Sequence, residues 1–263
     1  MNENDKNIEL RSLYEDVMLP NYAPASFIPE KGLGSCVWDK NNKKYIDFGG
    51  GIAVNSLGHS NPDLIKALND QSNKIWHLSN YISNEPAIRL AKQLTDLTFA
   101  DKAYFSNSGS EANEAAIKIA RRFYFENGNN KHEIIAFEKS FHGRSLLNIS
   151  LGASENHRKG FGPFPEGILH AQYNDIESVG KLISDKTAAI IIEPVQGESG
   201  VVPAKEDFLK EVKRLCVDNE ILLIMDEVQS GVGRMGHLFG YMSFDIEPDI
   251  LTSAKGLGGG IPI

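Results

Sequence analysis

From residue 61 onward the chain alternates amphipathic stretches with short apolar runs. The apolar runs predict strands at 102–106, 133–137, 167–171, 188–192, 221–225 and 249–252. The amphipathic stretches predict helices at 62–75, 85–97, 110–127, 176–184 and 205–218. Ala188-Ala189-Ile190-Ile191-Ile192 and Ile221-Leu222-Leu223-Ile224-Met225 are apolar at every position instead of every second one. Strands buried on both faces of a parallel sheet read that way. The alternation therefore implies βαβ units and a three-layer α/β/α domain.

Before residue 61 the pattern is different. Residues 7–18 predict a short amphipathic helix that ends ahead of Pro20. Residues 34–49 predict a hairpin, with strands at Ser35–Trp38 and Tyr45–Phe48 about a polar turn at Asp39–Lys44. Asn41-Asn42 suits that turn because Asn tolerates left-handed backbone. The expectation is a small N-terminal α+β segment over 1–60, followed by a large α/β domain over 61–263.

In such sheets ligands bind beyond the carboxyl ends of the strands, so the residues after each strand are the candidate chemistry. Ser108-Gly109-Ser110-Glu111 opens a helix. It reads either as an anion site built from free N–H groups and the helix dipole, or as a plain capping box. Phe141-His142-Gly143-Arg144 offers an aromatic to cover a flat ring and a guanidinium to grip a carboxylate. It reads equally as a turn with a core Phe and a solvated Arg. Glu193-Pro194-Val195-Gln196-Gly197-Glu198 carries two acids that nothing local assigns. Asp226-Glu227-Val228-Gln229 follows an apolar strand directly, so its acid needs a partner, either a protonated ring nitrogen or a metal. Lys255 follows the last strand and precedes four glycines in the five positions 256–260. A partly desolvated Lys there is a candidate amine nucleophile. Gly231-Val232-Gly233-Arg234-Met235-Gly236 matches a dinucleotide pattern, but it lies too far from the strand end for the tight strand-to-helix turn that pattern needs.

Bulk properties narrow the class. Lys plus Arg number 27 against 35 Asp plus Glu, for a formal net charge of −8, which disfavours a nucleic-acid partner. Two cysteines, Cys36 and Cys216, make no disulfide framework and fit a reducing compartment. The polar start MNENDKNIEL reads as no signal or transit peptide, and no apolar run approaches a membrane span. A cytoplasmic protein with no membrane or nucleic-acid partner is expected. The scattered histidines give no metal-ligand spacing, so no metal site is expected.

Taken together and in order, Ser108–Asn113, Phe141–Arg144, Glu193–Glu198, Asp226–Gln229 and Ala254–Gly260 resemble the subgroup III (class III) aminotransferases that use pyridoxal 5'-phosphate (PLP). The likeness begins near Asn21-Tyr22-Ala23-Pro24 and runs to the last residue. It implies an aspartate aminotransferase-like large domain of fold type I. It also implies that Lys255 bonds to the cofactor and then shuttles the proton, and that Asp226 pairs with the ring nitrogen. Gln229 would lie near the phenolic oxygen and Phe141 would stack on the ring. Ser108, Gly109 and Ser110 would hold the phosphate. Arg144 and Tyr22 would grip the donor's α-carboxylate, and Glu198 would pair with a mobile Arg.

Asn21–Pro24, Gly50–Val54 and Gly160–Pro163 resemble the acetylornithine type most. Ile52 stands where ornithine-specific members carry a Tyr. The implied substrates are N-acetylornithine and 2-oxoglutarate, in arginine biosynthesis, with ornithine, succinylornithine, succinyl-diaminopimelate and 4-aminobutyrate as alternative donors. The implied assembly is a homodimer. Only eight residues follow Lys255. The resemblance implies, beyond them, more of the large domain and a C-terminal small domain, bringing a Thr for the partner subunit's phosphate and the Arg that meets Glu198. A second expectation is therefore a non-catalytic fragment or remnant of such an enzyme, with weak or no transamination from residues 1–263.

Overall fold

The structure is a computed structural model that describes residues 3–263, with side chains from residue 8 onward. Backbone contacts group the chain into one unit ending at Ser79 and a second spanning Asn80–Ile263. The sequence reading sets its division at 60/61, so the helix that starts at Pro62 lies with the first unit.

The first unit holds α1 (Glu3–Val17), three strands β1 (Pro29–Leu33), β2 (Cys36–Asp39) and β3 (Lys44–Ile46), a single turn α2 (Gly50–Ala53) and α3 (Pro62–Ser72). The strands form one antiparallel sheet in sequence order, one strand more than the expected hairpin. Asp39 organises the β2–β3 turn by accepting from the N–H groups of Asn41 (2.9 Å) and Lys43 (3.0 Å) and from the Tyr45 hydroxyl (2.9 Å). Asn42 sits at φ 60°, the left-handed geometry that Asn tolerates. The α2 turn is left-handed, with φ of 64° at Gly51 and 63° at Ile52. For a β-branched residue that backbone is strained.

The second unit contains α4 (Glu85–Leu97), α5 (Gly109–Glu126), β4 (Glu133–Phe137), α6 (Leu146–Leu151), α7 (Glu155–Arg158), β5 (Ile168–Ala171), α8 (Ile176–Gly180), β6 (Thr187–Ile192), β7 (Val195–Gln196), β8 (Val202–Pro203), α9 (Glu206–Asp218), β9 (Leu222–Asp226) and β10 (Ile250–Thr252). Five strands make a wholly parallel sheet in the order β10-β9-β6-β4-β5. Its two faces are covered separately. Ile135, Phe137, Ile190, Ile192, Leu223 and Met225 pack against Val179 of α8 and Phe208, Leu209 and Val212 of α9. Ile134, Ala136, Ala189, Ile191 and Ile224 pack against Ala116, Ile117 and Ala120 of α5. This is the three-layer arrangement expected. Burial on both faces explains why Ala188–Ile192 of β6 and Leu222–Met225 of β9 are apolar at every position. Among the described residues no helix is long and apolar enough to cross a membrane.

Two expected elements differ. Residues 102–106 are not a strand. The sheet ends at β10, and no ladder pairs that stretch with it, so its backbone has no partner to make it one. The helix expected over 176–184 stops at Gly180, where Leu182 N–H turns back to the carbonyl of Val179 (3.0 Å).

Candidate active site

Because the five strands are parallel, Phe137, Ala171, Ile192, Asp226 and Thr252 all end at one edge of the sheet. Thr252 is the register partner of Asp226. The segments that follow β4, β6, β9 and β10 carry most of the residues singled out in the sequence.

Asp226 is the centre of this edge. It is 4% exposed. Its Oδ2 accepts from Asn113 Nδ2 (2.7 Å) and from His142 Nδ1 (2.7 Å), while its Oδ1 accepts from the N–H of Val228 (3.0 Å). An ionised carboxylate has about four acceptor positions. Both on Oδ2 are used and one on Oδ1 remains. The imidazole must donate from Nδ1, since the carboxylate only accepts. Its Nε2 is buried with no hydrogen-bond partner among the described residues. Burial disfavours the charged imidazole, but the hydrogen bond and charge of Asp226, with Glu193 behind, outweigh it and raise the His142 pKa.

The neighbouring acid does something else. Glu227 is fully buried and accepts from Ser230 Oγ (2.5 Å) and from the N–H groups of Gly240 (2.9 Å) and Tyr241 (2.6 Å). Its carboxylate ties down the loop leading to Tyr241. The Asp-Glu pair therefore does not converge on a common ion. Residues 231–236 form turns with no helix, so the glycine pattern there lacks the helix start that would face a pyrophosphate.

The phosphate candidate is the start of α5. Ser108 Oγ accepts from Glu111 N–H (3.2 Å), and Glu111 Oε2 accepts from Asn107 N–H (2.6 Å), so the capping reading holds. Capping does not exhaust the site. The first helical bond is Ala112 N–H to Ser108 O (2.9 Å), which leaves the N–H groups of Gly109 and Ser110 outside the ladder. The backbone here is also close-fitting. A Cβ on Gly109 would come within 2.8 Å of the Val228 side chain, and one on Gly143 within 2.5 Å of Ser110 Oγ. Ser110 Oγ accepts from Asn148 Nδ2 (2.6 Å).

Phe141 is half-buried after β4, and its N–H donates to Glu193 Oε1 (2.9 Å). The exposed Arg144 lies over the same ring, 5.3 Å from the centroid. Burial pushes the Glu193 carboxyl up to about 7. Gln229 Nε2 donates to Glu198 Oε1 (3.3 Å), and the Gln229 amide lies so close to Gly197 that a Cβ there would overlap it. Lys255 opens a short 3₁₀ turn in strained left-handed backbone, φ 45°. Burial lowers its pKa, while Glu198, Asp226 and Glu193 pull it back up. Thus nine of the ten residues singled out lie in the second unit, most of them after the sheet edge. Tyr22 lies in the first unit and is exposed.

Sequence reasoning quoted Asn113, His142 and Glu193 inside motifs without giving them work, and passed over Thr252. A signal was available for Asn113. It shares a helix face with Ile117 and Ala120, an amide where the pattern asks for an apolar side chain.

A family profile described as "Aminotransferase class-III" matches residues 17–263. The chain belongs to the class-III aminotransferases. It is 56% identical over 254 residues to the acetylornithine aminotransferase of Pseudomonas putida, covering 96% of this chain and 63% of that one. It is 54% identical over the same length to a succinylornithine transaminase/acetylornithine aminotransferase of Pseudomonas aeruginosa, again covering 96% of this chain and 63% of the relative. Among solved structures, the ornithine aminotransferase of Toxoplasma gondii superposes with a TM-score of 0.93 at 31% identity, covering 97% of this chain and 61% of that one. The class-III chain described here thus spans 63% of the length of these curated relatives.

Proposed function

We propose that the chain serves as an acetylornithine aminotransferase, moving the δ-amino group of N-acetylornithine to 2-oxoglutarate with PLP, in arginine biosynthesis. The observation that carries the reading is the Asp226 carboxylate, buried and held by three donors with one acceptor position left over. Two of the named relatives act, by name, on acetylornithine. The Toxoplasma ornithine aminotransferase has PLP at its active site.

The residues present fit that cofactor. The Gly109 and Ser110 N–H groups, with the Ser108 and Ser110 hydroxyls, would hold its phosphate at the α5 N-terminus, where the helix dipole favours an anion. Asp226 would hold the ring nitrogen protonated through its free acceptor position. Phe141 would cover one ring face, and Gln229 would stand by the phenolic oxygen. When bound, PLP supplies an aldehyde carbon for amine exchange and a ring that takes up negative charge. Lys255 Nζ would be the amine that holds that carbon. Once displaced from it by the donor's own amine, the free Lys255 amine would be placed to carry the proton between the donor carbon and the exchanged position. Its lowered pKa leaves more of the amine neutral for both tasks.

Arg144 would grip the donor's α-carboxylate. Glu198 would hold the Arg that binds 2-oxoglutarate. Ile52 offers no phenol to a charged α-amine, which supports an acylated donor. The family resemblance supports a homodimer, and the cysteine usage a cytoplasmic setting.

The test uses the PLP-loaded chain in single turnover. N-acetylornithine is expected to bleach the visible cofactor band at lower concentration than ornithine does. Arg144→Ala is expected to raise the half-saturating donor concentration about tenfold, as for a lost charge-assisted hydrogen bond. Equal response to both donors would overturn the substrate assignment. Cofactor binding without bleaching by any donor would make the chain a non-catalytic relative.

A further inference from the structure

Asn113 is 1% exposed and lies within α5, yet both ends of its amide are occupied. Nδ2 donates to Asp226 Oδ2 (2.7 Å) and to the carbonyl of His142 (2.9 Å). Oδ1 accepts from Thr252 Oγ1 (2.7 Å). One side chain thus ties α5 to the ends of β9 and β10 and to the segment after β4. The amide cannot be turned over without cost. Reversed, its oxygen would face the Asp226 carboxylate and the His142 carbonyl, three acceptors together with no proton among them. The hydroxyl of Thr252, itself 4% exposed, satisfies the oxygen that this orientation leaves.

The consequence falls on Asp226. A strand-end carboxylate can rotate about its own side-chain torsion, and which oxygen is saturated decides where its free acceptor points. Asn113 and His142 both load Oδ2, so the remaining position lies on Oδ1. We infer that Asn113, braced by Thr252, is a positioning residue that fixes the rotamer of Asp226 and so aims its one open acceptor at a cationic ring nitrogen. The inference rests on the reading that Asp226 meets the cofactor ring. It adds a hydroxyl–amide–carboxylate relay in which neither Asn113 nor Thr252 touches the ligand.

The experiment is PLP titration of the full chain, read by visible absorbance and by circular dichroism of the bound cofactor. Folding of each variant is checked by far-ultraviolet circular dichroism. Asn113→Leu, which keeps the heavy-atom count and branching and removes the amide, is expected to raise Kd about tenfold or more, the loss expected for a hydrogen bond to a charged group. Thr252→Val is expected to move Kd the same way by less, and Thr252→Ser, which restores the hydroxyl, to recover it. The decisive arm is Asp226→Asn with and without Asn113→Leu. A relay acting through Asp226 predicts that the second change adds almost nothing in that background. Wild-type Kd and cofactor dichroism in folded Asn113→Leu and Thr252→Val would overturn the inference while leaving the PLP reading intact. So would equal penalties in both Asp226 backgrounds, or failure of Thr252→Ser to recover. No cofactor band in the folded wild-type chain would overturn the reading itself, and the relay with it.

Discussion

Lys255 and Asp226 stand out in the sequence because each is a charged residue at, or within three residues of, the end of an apolar strand. Burial there leaves a charged group in need of a partner. Their supporting residues are not legible in the same way. His142 and Glu193 become important only because β4, β6 and β9 are neighbours, which local pattern does not state. Their titration gives a test. The Glu193 carboxyl is pushed from 4.5 to about 7, chiefly by burial. An acid with a raised folded pKa binds protons more tightly in the folded chain. Its contribution is full below about 4.5 and is lost as pH climbs to about 7. His142, raised above 6.5, adds stability that is lost on further alkalisation, in the same direction. The Glu193 contribution is therefore expected to fall between pH 5 and 7, against the opposite trend of His170, whose burial lowers its pKa, and Glu193→Gln to remove that fall, as read from urea midpoints across pH. An unchanged slope would contradict the assignment. Gly109 gives a steric test at the same scale. Gly109→Ala pushes a methyl into Val228, and overpacking of this kind costs about 1–3 kcal/mol. The expected result is a lower thermal midpoint together with weaker PLP binding.

At the scale of elements, the long helices and the strands of the parallel sheet were readable, and α6, α7, β7 and β8 were not. Helices α3, α4, α5 and α9 carry an apolar stripe long enough to reveal its period, and Ala188–Ile192 of β6 and Leu222–Met225 of β9 are continuous apolar runs. Helices α6 and α7 span six and four residues, and β7 and β8 two each, too short for either period to register. The stretch 102–106 carries a strand's composition without a ladder, so composition alone misleads there. Helix α5 joins both jobs of the unit, because its apolar face supports the sheet and its first turn faces the site. Ser108→Ala removes the cap that Glu111 N–H uses and is expected to cost about 1 kcal/mol of stability. It would also weaken PLP binding, whereas Ile191→Ala, in the core beneath, is expected to cost about 2–5 kcal/mol and leave the folded protein's PLP affinity unchanged. Chemical denaturation and cofactor titration on the same samples separate the two effects.

At the scale of the molecule, the parallel sheet explains why five ambiguous segments make one candidate site. Each motif is commonplace alone. Parallel order brings the ends of β4, β6, β9 and β10 to a single edge, and α5 begins beside it. The family assignment rests on the whole length from residue 17 to 263, and the site reading rests on that edge. The central claim is that Lys255 is the amine that bonds to PLP there. It is tested most directly by loading the chain with PLP, fixing the bond with borohydride and locating the modified peptide by mass spectrometry. The account predicts one-to-one labelling on the peptide containing Lys255, lost in Lys255→Ala. Labelling spread over surface lysines, or unchanged in that variant, would contradict it.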